Sequence, residues 1–148
     1  MATDSSRALI CDTGALLDYL VAGSTDHRPF RAAIDRARTR YVPGLVLTEL
    51  DYFLRAEREA MESFMADLAT GAFTYASPTL EQLVRATEID RRYADLRLGL
   101  VDASVVALAD QLGIRRIATR DVRHFASVRL SDGSAFELVV TPADPDRS

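Results

Sequence analysis

The sequence predicts an α/β domain in three layers, a mainly parallel central sheet covered by helices on both faces. Three observations carry this prediction. Short apolar runs of strand length end at Asp, Gly or Pro; stretches with apolar residues at helical spacing follow them; and glycines stand where helices stop. Strands that alternate with helices need crossover connections, which leave neighbouring strands parallel.

Each element has its own signal. Ala8-Leu9-Ile10-Cys11 is a short apolar run that stops at Asp12-Thr13-Gly14, and Ala15, Leu16, Leu17 and Leu20 then recur as on one face of a helix. A second run, Tyr41 to Val46 around Pro43 and Gly44, leads into Thr48-Glu49-Leu50 and a helix carrying Leu50, Phe53 and Leu54, with Glu49 near its start. Met61, Phe64, Met65 and Leu68 mark a further helix that Gly71 closes, so two helices stand between the second and third strands. The third strand is expected at Ala72 to Ala76. Ser77-Pro78-Thr79 then opens a helix bearing Leu80, Leu83 and Val84. Val101, Val105, Leu108 and Leu112 form a well-marked stripe ended by Gly113; the fourth strand is expected at Ile114 to Thr119 and an edge strand at Phe136 to Val140. The Pro- and Asp-rich tail, Thr141 to Ser148, reads as loose.

Composition sets the class. With 148 residues, 48% hydrophobic and 27% charged, the chain reads as one domain, 1–148, without repeat or linker. No apolar run is long enough to span a bilayer, and Met1 to Arg7 lacks a basic region ahead of an apolar stretch, which argues against secretion. A single cysteine, Cys11, builds neither a disulfide nor a zinc ribbon, so the cytoplasm is the expected compartment. The net charge of −4 is not the footprint of a protein that grips nucleic acid by charge alone. All eighteen basic residues are arginine, which excludes P-loop phosphate binding and Schiff-base chemistry, and no Gly-x-Gly-x-x-Gly is present.

In a doubly wound sheet the ligand crevice lies at the carboxyl ends of the strands. Asp12 follows the first strand, Asp121 follows the fourth, Asp102 opens the most regular helix, and Glu49 begins the helix after the second run, so four carboxylates can converge there. Each alone reads equally as a helix cap, turn or surface residue. As a set they repel: two unit charges 4 Å apart cost about 1 kcal/mol in water and about 4 at an effective dielectric of 20. With no lysine to offset them, a hard divalent cation is the fitting partner, Mg²⁺ or Mn²⁺ rather than zinc, because His27, His124 and Cys11 show no zinc-site spacing.

Asp12-Thr13-Gly14-Ala15-Leu16-Leu17, Thr48-Glu49-Leu50, Gly99-Leu100-Val101-Asp102-Ala103-Ser104 and Thr119-Arg120-Asp121 with His124-Phe125 together resemble the PIN-domain ribonucleases, in particular the VapC toxins of bacterial toxin-antitoxin systems. The resemblance runs from Leu9 to Phe125. It implies a PIN-like fold and a Mg²⁺-dependent endoribonuclease, Mn²⁺ substituting, with Asp12, Glu49, Asp102 and Asp121 as metal-binding catalytic acids. Thr119 and Thr13 match the hydroxyls that accompany the fourth and first acids. Cleavage by activated water implies 5′-phosphate and 3′-hydroxyl ends, with one metal ion or two. A homodimer and a VapB-type antitoxin partner in a hetero-oligomer are also implied, with no membrane association.

The substrate must then meet an acidic pocket through arginines at its rim, for which Arg120 and Arg123, flanking Asp121, are the candidates, together with Thr13. Ordinary surface arginine is the competing reading. His124 reads as a turn residue, with a proton shuttle as the alternative, and Asp95 as a loop residue or an accessory acid. Asp18 and Asp51 lie near the motif acids, and helical spacing either turns them from the cluster or leaves them behind its ligands. Two rival functions are a phosphatase-like or receiver-like phosphoryl-transfer domain, disfavoured by the missing lysine, and a non-catalytic metal-containing module that binds RNA or protein.

Overall fold

A computed structural model describes residues 7–144; residues 1–6 and 145–148, and with them the end of the expected loose tail, lie outside the described residues. Its strands are β1 (Ala8–Cys11), β2 (Thr39–Pro43), β3 (Thr74–Ala76), β4 (Arg116–Ala118) and β5 (Glu137–Leu138). Its helices are α1 (Thr13–Leu20), α2 (His27–Arg36), α3 (Gly44–Phe53), α4 (Arg58–Thr70), α5 (Leu80–Arg92), α6 (Gly99–Leu112) and α7 (Val122–Ser127). All strand pairings are parallel in the order β3-β2-β1-β4-β5. The chain steps outward from β1 to β3, then returns to β4 on the other side of β1. Right-handed crossovers therefore put the first connecting helices on one face and the later ones on the other. The order reverses between β1 and β4, where a crevice opens at the carboxyl ends.

β1 is central and wholly buried, with Cys11 fully enclosed and its thiol pushed up to about 12 by burial. The core runs from Leu9, Ile10 and Leu16 through Phe30, Phe64 and Phe73 to Val105, Ile117 and Phe125. Phe125 packs edge-on against Phe136, centroids 5.4 Å apart, which holds α7 against the approach to β5.

β1 coincides with its apolar run, whereas β2 ends inside its run and β3, β4 and β5 are shorter than theirs. Gly44, Leu45 and Val46 belong to α3 because the chain turns at Pro43, so Glu49 sits in the middle of α3 rather than at its start. Ala72 and Phe73 precede β3, and β5 keeps two residues at the sheet edge. Two helices, α2 and α7, were not expected. The first is charged over most of its surface and buries Phe30 and Ile34; the second is six residues long and buries Phe125. At the chain end, the Ala143 amide donates to both carboxylate oxygens of Asp26 at 3.1 and 3.2 Å, and the Asp144 carbonyl accepts from Arg120. Among the described residues no helix is long and apolar enough to cross a membrane.

Candidate active site

Four elements bring the acids together. Asp12 leaves β1, its amide donating to the Ala118 carbonyl of β4 at 2.9 Å, so the first acid sits at the strand reversal. Asp12 and Asp121 occupy the N-cap positions of α1 and α7, yet neither side chain caps its helix, which removes the ordinary explanation for both. Asp102 lies in the first turn of α6, where the positive end of the helix favours a carboxylate. Glu49 reaches in from α3 and accepts a hydrogen bond from the Thr13 hydroxyl.

Thr119 orders the centre. Its hydroxyl donates to Oδ2 of Asp12 at 2.7 Å and accepts the Asp121 amide at 2.9 Å, so one buried side chain fixes two acids. Oδ1 of Asp12, equally buried, has no hydrogen-bond partner among the described residues. A buried carboxylate oxygen without a partner costs free energy unless a cation or proton meets it.

His124 enters this centre, which the sequence reading of a turn residue does not anticipate. Its Nδ1 lies 2.7 Å from Oδ2 of Asp102 and 2.8 Å from Oδ2 of Asp121. The signal lay in the spacing, since His124 follows Asp121 by three residues and shares a face with it once α7 is recognised. One ligand atom from each of Asp102, Asp121 and His124 falls within 4.8 Å of the others. The donor set thus gains a nitrogen, compatible with Mn²⁺ and Mg²⁺ sites built mainly from oxygen.

The electrostatics match this crowding. Burial pushes the Asp12 carboxyl up to about 6, with the Thr119 hydroxyl and the Thr13 backbone amide offsetting part of the rise and Glu49 and Asp121 adding to it. Asp102 is pushed up further, to about 10, by burial first and then by Asp12, Asp121 and Glu49.

The remaining candidates divide. Arg123 is exposed, as a rim contact needs, whereas Arg120 is drawn inward. Its guanidinium pairs with Asp18 and Asp26, and its side chain is 10% exposed, so it is withdrawn from the substrate rim where the sequence reading put it. The physical reason is that two buried carboxylates beside α1 need a cation. Asp18 is accordingly turned from the centre, Asp51 pairs with Arg58 at 2.9 Å, and Asp95 is exposed in a short 3-10 turn, Ala94–Leu96.

Comparison with known proteins agrees with this geometry. The PIN domain family matches residues 9–130. Ribonuclease VapC26 of Mycobacterium tuberculosis is 36% identical over 134 residues, covering 88% of this chain and 99% of that protein. Among solved structures, Mycobacterium tuberculosis VapC20, described as a sarcin-ricin loop cleaving toxin, superposes with a TM-score of 0.66 at 19% identity, covering 74% of this chain and 86% of that one. A toxin-antitoxin complex from Klebsiella pneumoniae gives 0.65 at 21% identity, with 81% and 92% covered. The last two show the fold. Together with the acids at the strand reversal, these matches mean that the chain belongs to the PIN-domain family, among its VapC-type ribonucleases.

Proposed function

We propose that this protein is the toxin of a VapBC-type pair, a divalent-metal-dependent endoribonuclease that hydrolyses RNA phosphodiester bonds. The observation that carries the reading is the buried Oδ1 of Asp12, without a hydrogen-bond partner among the described residues, beside Glu49, Asp102 and Asp121, in a centre where burial and neighbouring carboxylates hold Asp12 and Asp102 above the usual carboxylate range. In this reading Asp12, Glu49, Asp102 and Asp121 hold the metal, His124 adds a nitrogen donor, and Mg²⁺ is the physiological ion with Mn²⁺ substituting. When bound, the ion would neutralise charge on the phosphoryl oxygens and lower the pKa of water at the scissile phosphorus.

The chain's own residues do the rest. Thr119 keeps Oδ2 of Asp12 occupied and so leaves Oδ1 as the donor. Thr13 performs the corresponding task for Glu49. His124, with Nδ1 against Asp102 and Asp121, holds these two carboxylates together at the centre. Arg123, exposed beside His124 in the chain, meets the RNA backbone. An antitoxin of VapB type, a homodimer and a cytoplasmic location complete the proposal, on the strength of the toxin relatives.

The test is cleavage of end-labelled RNA by purified protein with Mg²⁺ or Mn²⁺, against EDTA and against Asp12→Asn purified in parallel. Metal-dependent cuts absent from the variant, with 5′-phosphate ends, are expected. Equal cutting by the variant would sink the assignment, and a folded, metal-binding protein that cuts no cellular RNA would favour the non-catalytic module.

A further inference from the structure

Arg120 stands in sequence between Thr119 and Asp121, yet its side chain leaves the acid centre. Its stem crosses Gly14 so closely that a Cβ there would lie 3.0 Å from Arg120 Cγ and 3.1 Å from its Cβ and Cδ. Nη1 donates to Oδ2 of Asp18 on α1 and, at 2.6 Å, to Oδ2 of Asp26 before α2; Nη2 donates to the Asp144 carbonyl at 3.1 Å. These side chains are 10%, 12% and 6% exposed for Arg120, Asp18 and Asp26. One guanidinium therefore fastens the β4–α7 turn to α1, to the loop between α1 and α2, and to the C-terminal segment.

We propose that Arg120 is a positioning residue for the ribonuclease reaction, locking the Thr119–Asp121 turn against α1 so that Asp12 and Asp121 face one cation; this rests on the function proposed above. The coupling runs through Thr119, whose hydroxyl is bonded to Asp12 on one side and to the Asp121 amide on the other. A turn that slides by 1 Å breaks a 2.7 Å hydrogen bond and moves both acids. The guanidinium is a rigid fork that serves three partners in fixed directions; an ammonium is a shorter-reaching point charge and holds the turn less firmly. The bare ion-pair alternative makes a different prediction: stability would change, and the folded protein's turnover and cation affinity would not.

The test compares full-length Arg120→Met, Arg120→Lys and Asp26→Asn with the parent protein, each checked for fold by circular dichroism. Three quantities are read: kcat, KM for RNA, and the Mn²⁺ concentration at the midpoint of the thermal-stability rise. Arg120→Met is expected to lower kcat by about tenfold or more, because small displacements of reacting groups are costly. Its KM should stay within about twofold, and its Mn²⁺ midpoint should rise several-fold. Arg120→Lys should recover part of kcat, and Asp26→Asn should move kcat and midpoint in the same direction by less. A folded Arg120→Met protein with parental kcat and midpoint overturns the proposal, as does a raised KM with kcat intact, which would make Arg120 a substrate contact. If Arg120→Met does not fold, the other two variants decide by the same criteria. A parent protein that cleaves nothing overturns the ribonuclease reading alone, and the Mn²⁺ midpoint still tests Arg120.

Discussion

Asp12, Asp18 and Asp26 are buried to nearly the same extent, 5%, 8% and 4% exposed, but they are served differently. Asp18 and Asp26 meet Arg120, and Asp26 takes a backbone amide as well. Asp12 shares its surroundings with Glu49, Asp102 and Asp121 and keeps one oxygen without a partner. In one cluster an arginine meets the carboxylates; in the other His124 meets Asp102 and Asp121, and Oδ1 of Asp12 is left without a partner among the described residues. The cluster that is complete holds the backbone, and the incomplete one is the candidate for chemistry.

The sharpest way to break this contrast is Asp12→Asn, which removes a ligand charge with little change in size. Turnover should fall by at least about 10²-fold, while the melting temperature in EDTA stays level or rises because a repulsive charge is gone. A calorimetric scan and the cleavage assay on one preparation check both. In the complete cluster the larger effect falls on stability. Asp26→Ala should cost about 2–3 kcal/mol in denaturant unfolding, because a charge-assisted hydrogen bond is lost and Arg120 keeps Asp18 as its remaining acidic partner among the described contacts.

A pH series sharpens the comparison further. The folded pKa of Asp12 lies above its ordinary value of 3.8, at about 6. The folded state therefore binds protons more readily than the unfolded chain, and this contribution to stability is full below pH 4 and lost as pH rises through 6. Asp102, raised in the same direction, extends the loss to higher pH. Without metal, stability should fall from pH 5 to pH 7.5, on the order of 2 kcal/mol. Metal ligands must be deprotonated, so the Mn²⁺-induced rise in melting temperature should be small at pH 5 and large at pH 7.5. A Mn²⁺ shift that is as large at pH 5 contradicts this. The smallest effect is expected from Arg123→Ala, a few-fold rise in KM with kcat kept and a shallower salt dependence of RNA binding.

Much of this was legible from residue patterns. The strand-turn-helix at Ala8 to Leu20 and the helix from Gly99 to Leu112 show in the sequence because each carries a buried apolar stretch, Ala8 to Cys11 with Ala15 and Leu16 in the first and Ala103 to Ala109 in the second. The acids were legible because strand ends and helix starts fix where a side chain lies, before any contact is known. α2 was hidden by its composition, with Phe30 and Ile34 set among Arg and Asp, and α7 by its brevity. Without α7, His124 reads first as a turn residue, since a residue three positions from Asp121 shares its face only on a helix. The inward course of the Arg120 side chain is hidden for a different reason. Nothing local in Thr119-Arg120-Asp121 tells that its partners are Asp18 and Asp26, more than ninety residues earlier in the chain.

Cys11 has a consequence of another kind. The sole thiol of the chain lies fully enclosed in the central strand, directly before Asp12, with its ionisation pushed far above neutral pH. A disulfide reagent needs an exposed thiolate, so labelling waits until β1 parts from β2 and β4. The molecule thereby carries its own clock for the opening of its centre: the rate at which it takes up such a reagent, with and without Mn²⁺, reports how firmly the acid site holds the sheet closed.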